Sequence, residues 1–209
     1  MIRHDVSQGE ADWFALRLAI PTASEFGKIV TSTGKASTQA NGYMNTLLAE
    51  WLTGKTGGME STPWMDRGTS MEPEARTWYE METDEDAETV GFITRDDGLV
   101  GCSPDALIGD SGMLEIKCPS PGVHVEYLLS DALPSKYKPQ VQGQLMVAER
   151  DWCDFISYHP DMMPLRVRVT RDEDYINTMR GMLDGFVDKM LAKREQLQNR
   201  GIEPMRAAA

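Results

Sequence analysis

The sequence predicts an α/β fold, because helical and strand patterns follow one another along 209 residues without an internal repeat or a low-complexity tract. Two helical patterns come first, and short apolar segments with strand character follow between Glu88 and Cys118. Further on, apolar residues recur at three- and four-residue steps from Tyr175 to Met190, which is typical of a long amphipathic helix. A chain of this length can bury one sizeable core. We therefore expect a single domain over 1–209, with about 201–209 as a tail.

The predicted elements are stated in chain order. Helices are expected at 41–51, at 69–82, between 118 and 136, at 136–149 and from Tyr175 onward. Strands are expected at 88–94, 100–102, 106–109, 113–118, 152–158 and 165–170. Pro139 should begin or kink its helix, because proline has no amide N–H to donate.

Two short motifs, Ser103-Pro104-Asp105 and Glu115-Ile116-Lys117, point most directly to chemistry. Two carboxylates on one face offer the oxygen ligands that a hard cation such as Mg²⁺ prefers. Such a cation can lower the pKa of a water molecule and neutralise charge on a phosphate, while Lys117 can hold the attacking hydroxide or a non-bridging oxygen. For the motifs alone, the alternative is a solvated hairpin in which Glu115 and Lys117 merely pair.

The register of this hairpin decides whether the carboxylates meet. A two-residue loop would send Asp105 to the opposite face, since side chains alternate along a strand. A three-residue loop with Gly112 at a positive φ pairs Gly109 with Met113 and sets Asp105 across from Lys117, with the second acid on the same face. We predict the three-residue loop.

Five segments occur in a fixed order: 13–18 with 22–25, 68–76, 101–105, 114–119 and 140–142. This ordered set resembles the lambda-type phage exonucleases of the YqaJ-like viral recombinase family, within the PD-(D/E)xK nuclease superfamily. The resemblance implies a restriction-endonuclease-like PD-(D/E)xK core, with a central mixed β-sheet flanked by helices. It also implies a Mg²⁺-dependent 5′-to-3′ exonuclease that processively digests one strand of duplex DNA from 5′-phosphorylated ends. The 3′ single-stranded overhangs would serve recombination by strand annealing.

The resemblance also assigns roles to residues around the motifs. Asp105 and Glu115 would bind the metal, the Ile116 carbonyl would add a ligand, Lys117 would position the nucleophile, and Glu72 would complete the acid cluster directly or through water. One or two Mg²⁺ ions per site are expected, and Mn²⁺ can substitute.

Two of the assigned residues have a plainer alternative. Glu72 ends a Thr69-to-Glu72 capping box, in which its carboxylate would only bond the start of a helix. Glu74, nearby on the same helix, is the fallback for the third acid. The resemblance places Gln140 near the active site, whereas we expect Gln142 to be a plain residue on the helix surface.

A second group of residues suggests a seat for a terminal phosphate. Thr22 and Glu25 have capping-box spacing, which would begin a helix and leave backbone N–H groups beside the Ser24 hydroxyl. Arg17 offers a planar fork that suits a phosphate, and the resemblance adds Ser103 to this 5′-phosphate pocket. Without the resemblance, an ordinary helix start beside a surface arginine explains the same residues.

The duplex-opening part of the chain is the least defined. The loop at 31–38 is small and polar and has no arginine wedge, and Lys35 is a weak substitute for one. The resemblance implies binding to double-stranded DNA ends, a homotrimeric ring around the DNA and a single-strand annealing protein as partner. A closed ring would explain processivity.

The formal net charge of −12 has the wrong sign for nonspecific binding to DNA. Three considerations reduce this objection. Some of the acids would bind metal, the bound cations would locally reverse the field, and a basic lining can coexist with an acidic exterior. The candidates for the lining are Arg17, Lys28, Lys35, Lys55, Arg76, Lys117, Lys136 and Lys138.

The remaining composition favours a cytoplasmic protein, and the resemblance implies the cytoplasm of a bacterial host cell. The three scattered cysteines argue against a disulfide framework and against zinc or iron-sulfur ligation, and we expect them to fill apolar space. No membrane span or signal peptide is evident. Two alternatives stay open: a restriction-type or repair endonuclease with the same core, and a non-catalytic DNA-binding subunit.

Overall fold

The computed structural model describes residues 1–56 and 63–205. Within them, eight strands occur: β1 Ile2–His4, β2 Ala87–Glu88, β3 Phe92–Thr94, β4 Gly101–Cys102, β5 Ala106–Ile108, β6 Gly112–Lys117, β7 Trp152–Ser157 and β8 Leu165–Thr170. The helices are α1 Ala11–Arg17, α2 Ala40–Thr53, α3 Pro63–Thr83, α4 Pro121–Ser130, α5 Lys138–Val147 and α6 Glu173–Gln198. Two 3₁₀ segments, Ala23–Lys28 and Ser135–Tyr137, lie between them.

The centre of the molecule is a mixed sheet in the order β2-β5-β6-β7-β8, in which β6 and β7 are parallel and the other pairs antiparallel. A parallel pair needs a long crossover connection, and here the crossover contains α4 and α5. A smaller sheet has the order β1-β3-β4. The predicted central mixed sheet flanked by helices is therefore confirmed.

Each face of the large sheet has its own core. On one face, Leu107, Met113 and Phe155 pack in a cluster that includes buried residues of α2, α5 and α6. On the other face, Leu114 and Ile116 pack against the buried side of α3. The predicted apolar stripe of α6 is confirmed as core, and Asp172 caps this helix by accepting the Tyr175 amide at 3.1 Å.

The hairpin of β5 and β6 has the predicted loop length but not the predicted register. Ile108 pairs with Gly112, so the expected pairing of Gly109 with Met113 is wrong, and the positive φ of 50° belongs to Gly109. Gly112 instead lies in the strand, where an added Cβ would come within 2.3 Å of the Trp152 ring. Side chains alternate, and a displacement by two residues preserves the face of each side chain.

Two further expectations fail for local reasons. The expected strand at 88–94 is divided between two sheets, because the Val90 and Gly91 carbonyls accept side-chain hydrogen bonds from Gln8 and Trp13. The helix expected at 69–82 begins earlier, at Pro63, a proline position that a first helical turn accepts. The capping box that starts at Thr69 is therefore wrong, because its residues lie inside α3.

The residues that follow α6 are hydrogen-bonded to the rest of the protein as far as Met205. The Ile202 amide donates to the Leu197 carbonyl at 3.0 Å, and the Met205 amide donates to Leu52 at 2.8 Å. The rest of the expected tail, 206–209, lies outside the described residues. In the described part of the chain, no helix combines the length and apolar character that crossing a membrane requires.

Gly143 in α5 tests the tight packing between this helix and the first 3₁₀ segment. Alanine normally stabilises a helix over glycine by up to about 1 kcal/mol, but a Cβ at Gly143 would lie 2.3 Å from the Phe26 ring. We expect Gly143→Ala to lower the free energy of unfolding by about 1–3 kcal/mol, since overpacking has costs of this order.

The matched control is Gly181→Ala in α6, where nothing lies within 4 Å of the added Cβ. It should leave stability unchanged or raise it. Urea unfolding measures both variants, and equal effects in the two would contradict the packing argument.

Candidate active site

The two predicted carboxylates and the lysine converge on one face of the hairpin. Glu115 and Lys117 lie two positions apart on β6 and form an ion pair. Asp105, just before β5, donates its amide to the Leu114 carbonyl at 3.1 Å, and its Oδ2 accepts the Ile116 amide at 2.5 Å. Asp105 thus lies beside Leu114 to Ile116 and not across from Lys117 as predicted, but both Glu115 and Lys117 are close enough to shift its pKa.

Helix α5 covers this face and supplies two amide donors. Gln140 donates to Oε1 of Glu115 at 2.5 Å, and Gln144 donates to Oε2 at 2.6 Å. Residues four apart lie on the same side of a helix, so one face of α5 holds both oxygens of the buried acid, which is 1% exposed. The prediction for Gln140 is matched by its position, whereas Gln144 escaped sequence reasoning. Its four-residue step from Gln140 was the available signal.

Gln142 is not the surface residue that we expected. It is 2% exposed, donates to the Thr170 carbonyl at 2.9 Å and accepts the Asp172 amide at the same distance. The expectation is wrong because α5 is buried on almost every side, with eight of its ten residues inside the protein. Gln142 therefore joins β8 to the start of α6 and does not contact the acids.

Burial and the neighbouring charge of Glu115 raise the pKa of Asp105 and of Glu72. Desolvation raises the pKa of Asp105 well above its ordinary range, Glu115 raises it further, and Lys117 opposes the shift. The pKa of Glu72 is raised by burial and by Glu115, again against the attraction of Lys117. The charged form of these acids is therefore disfavoured chiefly by burial, and a bound cation relieves that condition.

Lys117 remains an ammonium group. Burial lowers its pKa, but attraction to Glu115 and Asp105 outweighs burial, and the pKa is raised overall. A lysine whose proton is held this firmly is suited to positioning an anion and not to acting as a general base.

A cavity of about 680 Å³ opens beside the acids and is lined by Glu72, Arg76 and Asp105, together with residues of the N-terminal segment. Glu72 thus faces the site from α3, as the resemblance implied. The fallback candidate Glu74 instead accepts the Tyr158 hydroxyl at 2.7 Å. This contact leaves Glu72 as the better third acid.

The donor set fits a hard divalent cation. Asp105 and Glu115 supply carboxylate oxygens, and Ile116 turns its peptide edge toward Asp105, because the N–H and C=O of one strand residue point to the same side. In residues 1–56 and 63–205, no three His, Cys, Asp or Glu side chains form a ready metal cage. Two carboxylates, a carbonyl and water suit Mg²⁺, which usually keeps several waters.

Arg17, Ser24 and Ser103 are brought together as predicted, although the expected cap is absent. Arg17 donates to the Ser103 hydroxyl at 3.3 Å and to Thr22 at 3.5 Å, and Thr22 in turn contacts the Ser24 hydroxyl at 3.3 Å. The segment after Thr22 is a six-residue 3₁₀ helix without a side-chain cap bond. The capping box is therefore wrong, and side chains make up the cluster.

Trp13 holds the arginine of this cluster in place. The Arg17 guanidinium lies 4.1 Å from the centroid of the Trp13 ring, and the indole N–H donates to the Ser103 hydroxyl at 2.9 Å. Burial lowers the pKa of Arg17, but arginine stays charged. A partly buried, pre-oriented guanidinium beside three hydroxyl groups is suited to bind a phosphate.

The other candidates for the basic lining lie in different surroundings. Lys28 and Lys138 are paired with Glu25 and Asp172, and Lys35 is exposed on the loop that packs against the start of α6. Lys136 lies over the rings of Tyr127 and Tyr137, and the Lys117 ammonium lies 5.6 Å from the Tyr137 centroid. Lys55 is exposed, and Arg76 lines the cavity.

The cysteines behave as the composition predicted. Burial raises the pKa values of Cys102 and Cys153, and it raises the pKa of Cys118 to about 12. All three are free thiols, and two of them are buried. They fill apolar space beside the site.

The fold and the acid-acid-lysine hairpin define the PD-(D/E)xK nuclease class. Residues 12–151 match the YqaJ-like viral recombinase domain, and the chain belongs to this family. The crystal structure of the alkaline exonuclease LHK-Exo from Laribacter hongkongensis is 36% identical, with a TM-score of 0.82, and the alignment covers 92% of this chain and 98% of that one.

Other solved structures agree. LHK-Exo in complex with dAMP is 34% identical, with a TM-score of 0.83 and the same coverage. A phage related exonuclease from Haemophilus somnus 129PT is 14% identical with a TM-score of 0.62, covers 83% of this chain and 96% of its own, and shows the fold alone. A comparison with curated proteins gave no match. Together, the family and the LHK-Exo structures support a nuclease.

Removing the charge of Asp105 should stabilise the metal-free protein. Because the pKa of this acid is raised on folding, the folded state binds more protons than the unfolded state above the ordinary aspartate pKa of about 3.9. Wild-type stability therefore falls as pH rises from that value. We expect Asp105→Asn to unfold at a higher temperature than wild type at pH 8 in EDTA, with a difference that shrinks toward pH 4.

Thermal unfolding followed by circular dichroism measures this difference. Asp110→Asn, in the exposed hairpin loop, is the matched control and should show no such pH-dependent gain. A less stable Asp105→Asn variant at pH 8 would mean that attraction to Lys117 dominates.

Proposed function

We propose that the protein is a Mg²⁺-dependent 5′-to-3′ exonuclease that digests one strand of duplex DNA from 5′-phosphorylated ends and leaves 3′ overhangs. The carrying observation is the convergence of Asp105, Glu115 and Lys117 on one face, with Gln140 bonded to the buried acid. The similarity to an alkaline exonuclease, one of whose structures holds dAMP, supports DNA as the substrate.

In this proposal Asp105, Glu115 and the Ile116 carbonyl hold the cation, with Glu72 facing it from α3. Two carboxylates and a carbonyl are the hard oxygen donors that Mg²⁺ prefers, and Mn²⁺ can substitute. When bound, one or two such ions supply charge neutralisation at the scissile phosphate and activation of water.

The chain's own residues perform the remaining steps. Gln140 fixes Oε1 of Glu115, and Lys117, held as an ammonium group, orients the attacking oxygen or a non-bridging phosphate oxygen. The neighbouring cavity offers room for the substrate beside Glu72 and Asp105.

End recognition is assigned to Arg17, Ser24 and Ser103. Ser103 lies two residues before Asp105, so a phosphate held by this cluster is tied to the metal site through one short segment. A terminal phosphate carries more negative charge than an internal one and rewards a charged bidentate donor. This link between the two clusters favours an enzyme that starts at 5′ ends over an endonuclease or a binding subunit.

Processive digestion, a homotrimeric ring around DNA, Lys35 as a DNA contact and a single-strand annealing partner belong to the same proposal. Their support is the family, whose name denotes viral recombination. A chain of net charge −12 gains most from topological enclosure, because its surface does not retain DNA by charge alone.

Lys117→Ala tests the catalytic assignment. With Mg²⁺ and linear duplex bearing 5′-phosphates, we expect the rate of strand loss to fall about 100-fold or more, since removing one preorganised charge-stabilising group has effects of this size. Lys189→Ala, an exposed lysine of α6, is the matched control and should digest at the wild-type rate. Gel analysis of end-labelled strands measures both.

Closed circular duplex in the same reactions separates the alternatives. Nicking or linearisation by wild type would establish an endonuclease. Absence of cleavage on every substrate, with active control enzymes, would favour a DNA-binding subunit.

Arg17→Lys tests the phosphate pocket. Lysine keeps the charge but loses the planar fork, and a hydrogen bond to a charged group contributes about 1.5–3 kcal/mol. We expect KM for 5′-phosphorylated duplex to rise about tenfold, with little change for 5′-hydroxyl duplex.

Arg180→Lys, whose guanidinium bonds Asn177 on α6, is the control and should retain the preference of wild type. The assignment fails when Arg17→Lys slows both kinds of end equally. Initial rates on the two duplexes decide this point.

A further inference from the structure

Gln144 contacts two residues of the candidate site from a buried position on α5. Its amide N–H groups face Oε2 of Glu115 at 2.6 Å and the Ser103 carbonyl at 3.5 Å, the outer limit of a hydrogen bond. The side chain is 1% exposed. Its own Oε1 is buried, and in the described part of the chain no donor reaches it.

The orphaned oxygen shows what orients this side chain. A buried acceptor without a donor lowers stability. Turning the amide over would place Oε1 against the Glu115 carboxylate and replace attraction with repulsion. Glu115 therefore fixes the orientation of Gln144, and the contact is kept in spite of the orphaned Oε1.

The acceptor positions of Glu115 show what the contact achieves. An ionised carboxylate has about four of them. Among the described residues, Gln140 and Lys117 donate to Oε1, whereas Gln144 alone donates to Oε2. Two side-chain amides of one helix thus bind the two carboxylate oxygens of Glu115, and Oε2 retains a free acceptor position.

We propose that Gln144 is a positioning residue, which fixes Glu115 through Oε2 so that this oxygen binds a divalent cation. The inference rests on the proposed function for the identity of the cation. Groups that orient a metal ligand in this way typically change metal affinity 10- to 100-fold when removed.

Gln144→Met tests the proposal, because methionine has similar volume and no N–H donor. Calorimetric titration with Mn²⁺, without DNA, should give a Kd raised about tenfold or more. The unfolding temperature in EDTA should fall as well, since Oε2 of the buried Glu115 loses its amide donor, so the Kd for Mn²⁺ carries the test. With DNA, kcat at limiting Mg²⁺ should fall and recover as Mg²⁺ is increased, with KM for DNA unchanged.

Gln142→Met is the matched control on the same helix. It loses hydrogen bonds to two backbone groups, the Thr170 carbonyl and the Asp172 amide, and it does not touch Glu115. Its unfolding temperature should fall by more than about 2 °C, while its Kd for Mn²⁺ stays at the wild-type value. A Gln144→Met variant that loses stability as Gln142→Met does, yet binds Mn²⁺ normally, would overturn the proposal.

Different results would contradict the proposed nuclease function and the proposed role of Gln144. Wild-type protein that binds Mn²⁺ but cleaves no DNA would end the proposed function, and the Kd comparison would still decide the role of Gln144. Active wild type with an unchanged Kd in Gln144→Met would end only the inference. Wild type that binds no cation would overturn both.

Discussion

The buried charge of Glu115 is the constraint on which the site depends. An isolated carboxylate inside a protein is strongly unfavourable unless donors surround it. Here the donors are Lys117, two positions along β6, and the side-chain amides of Gln140 and Gln144 on α5. These contacts require α5 to pack at a fixed distance from the sheet. Gly143 permits that distance, because its missing Cβ leaves room for the Phe26 ring. Solvating one acid with protein groups thus dictates how the crossover packs.

The N-terminal segment braces the other acid from outside the central sheet. Gln8 donates to the Val90 and Pro104 carbonyls at 2.8 and 3.0 Å, immediately before Asp105. Trp13 bonds both Gly91 and Ser103. The residues around Asp105 are therefore held on one side by β6 and on the other by the first part of the chain. This arrangement explains how a short connection between two strands can keep a charged side chain in place.

The sequence predicted the face of Asp105, Glu115 and Lys117 because strand alternation depends only on parity. It could not predict the register, because the ring of Trp152 that requires a glycine at position 112 belongs to β7, which is distant in the sequence. The burial of Gln142 and the contact of Gln144 with Glu115 were missed for the same reason. A helix buried on nearly all sides carries no amphipathic pattern, so only tertiary packing reveals which glutamine meets the acid.

The parallel pairing of β6 with β7 has a consequence for the order in which the site is built. During synthesis the hairpin with both acids emerges before the crossover that contains α5, and non-local pairing forms late. Until α5 docks, Glu115 is hydrated and lacks the amides that fix its oxygens. A nascent chain ending before α5 would carry Asp105, Glu115 and Lys117 and still lack the amides that complete the candidate site.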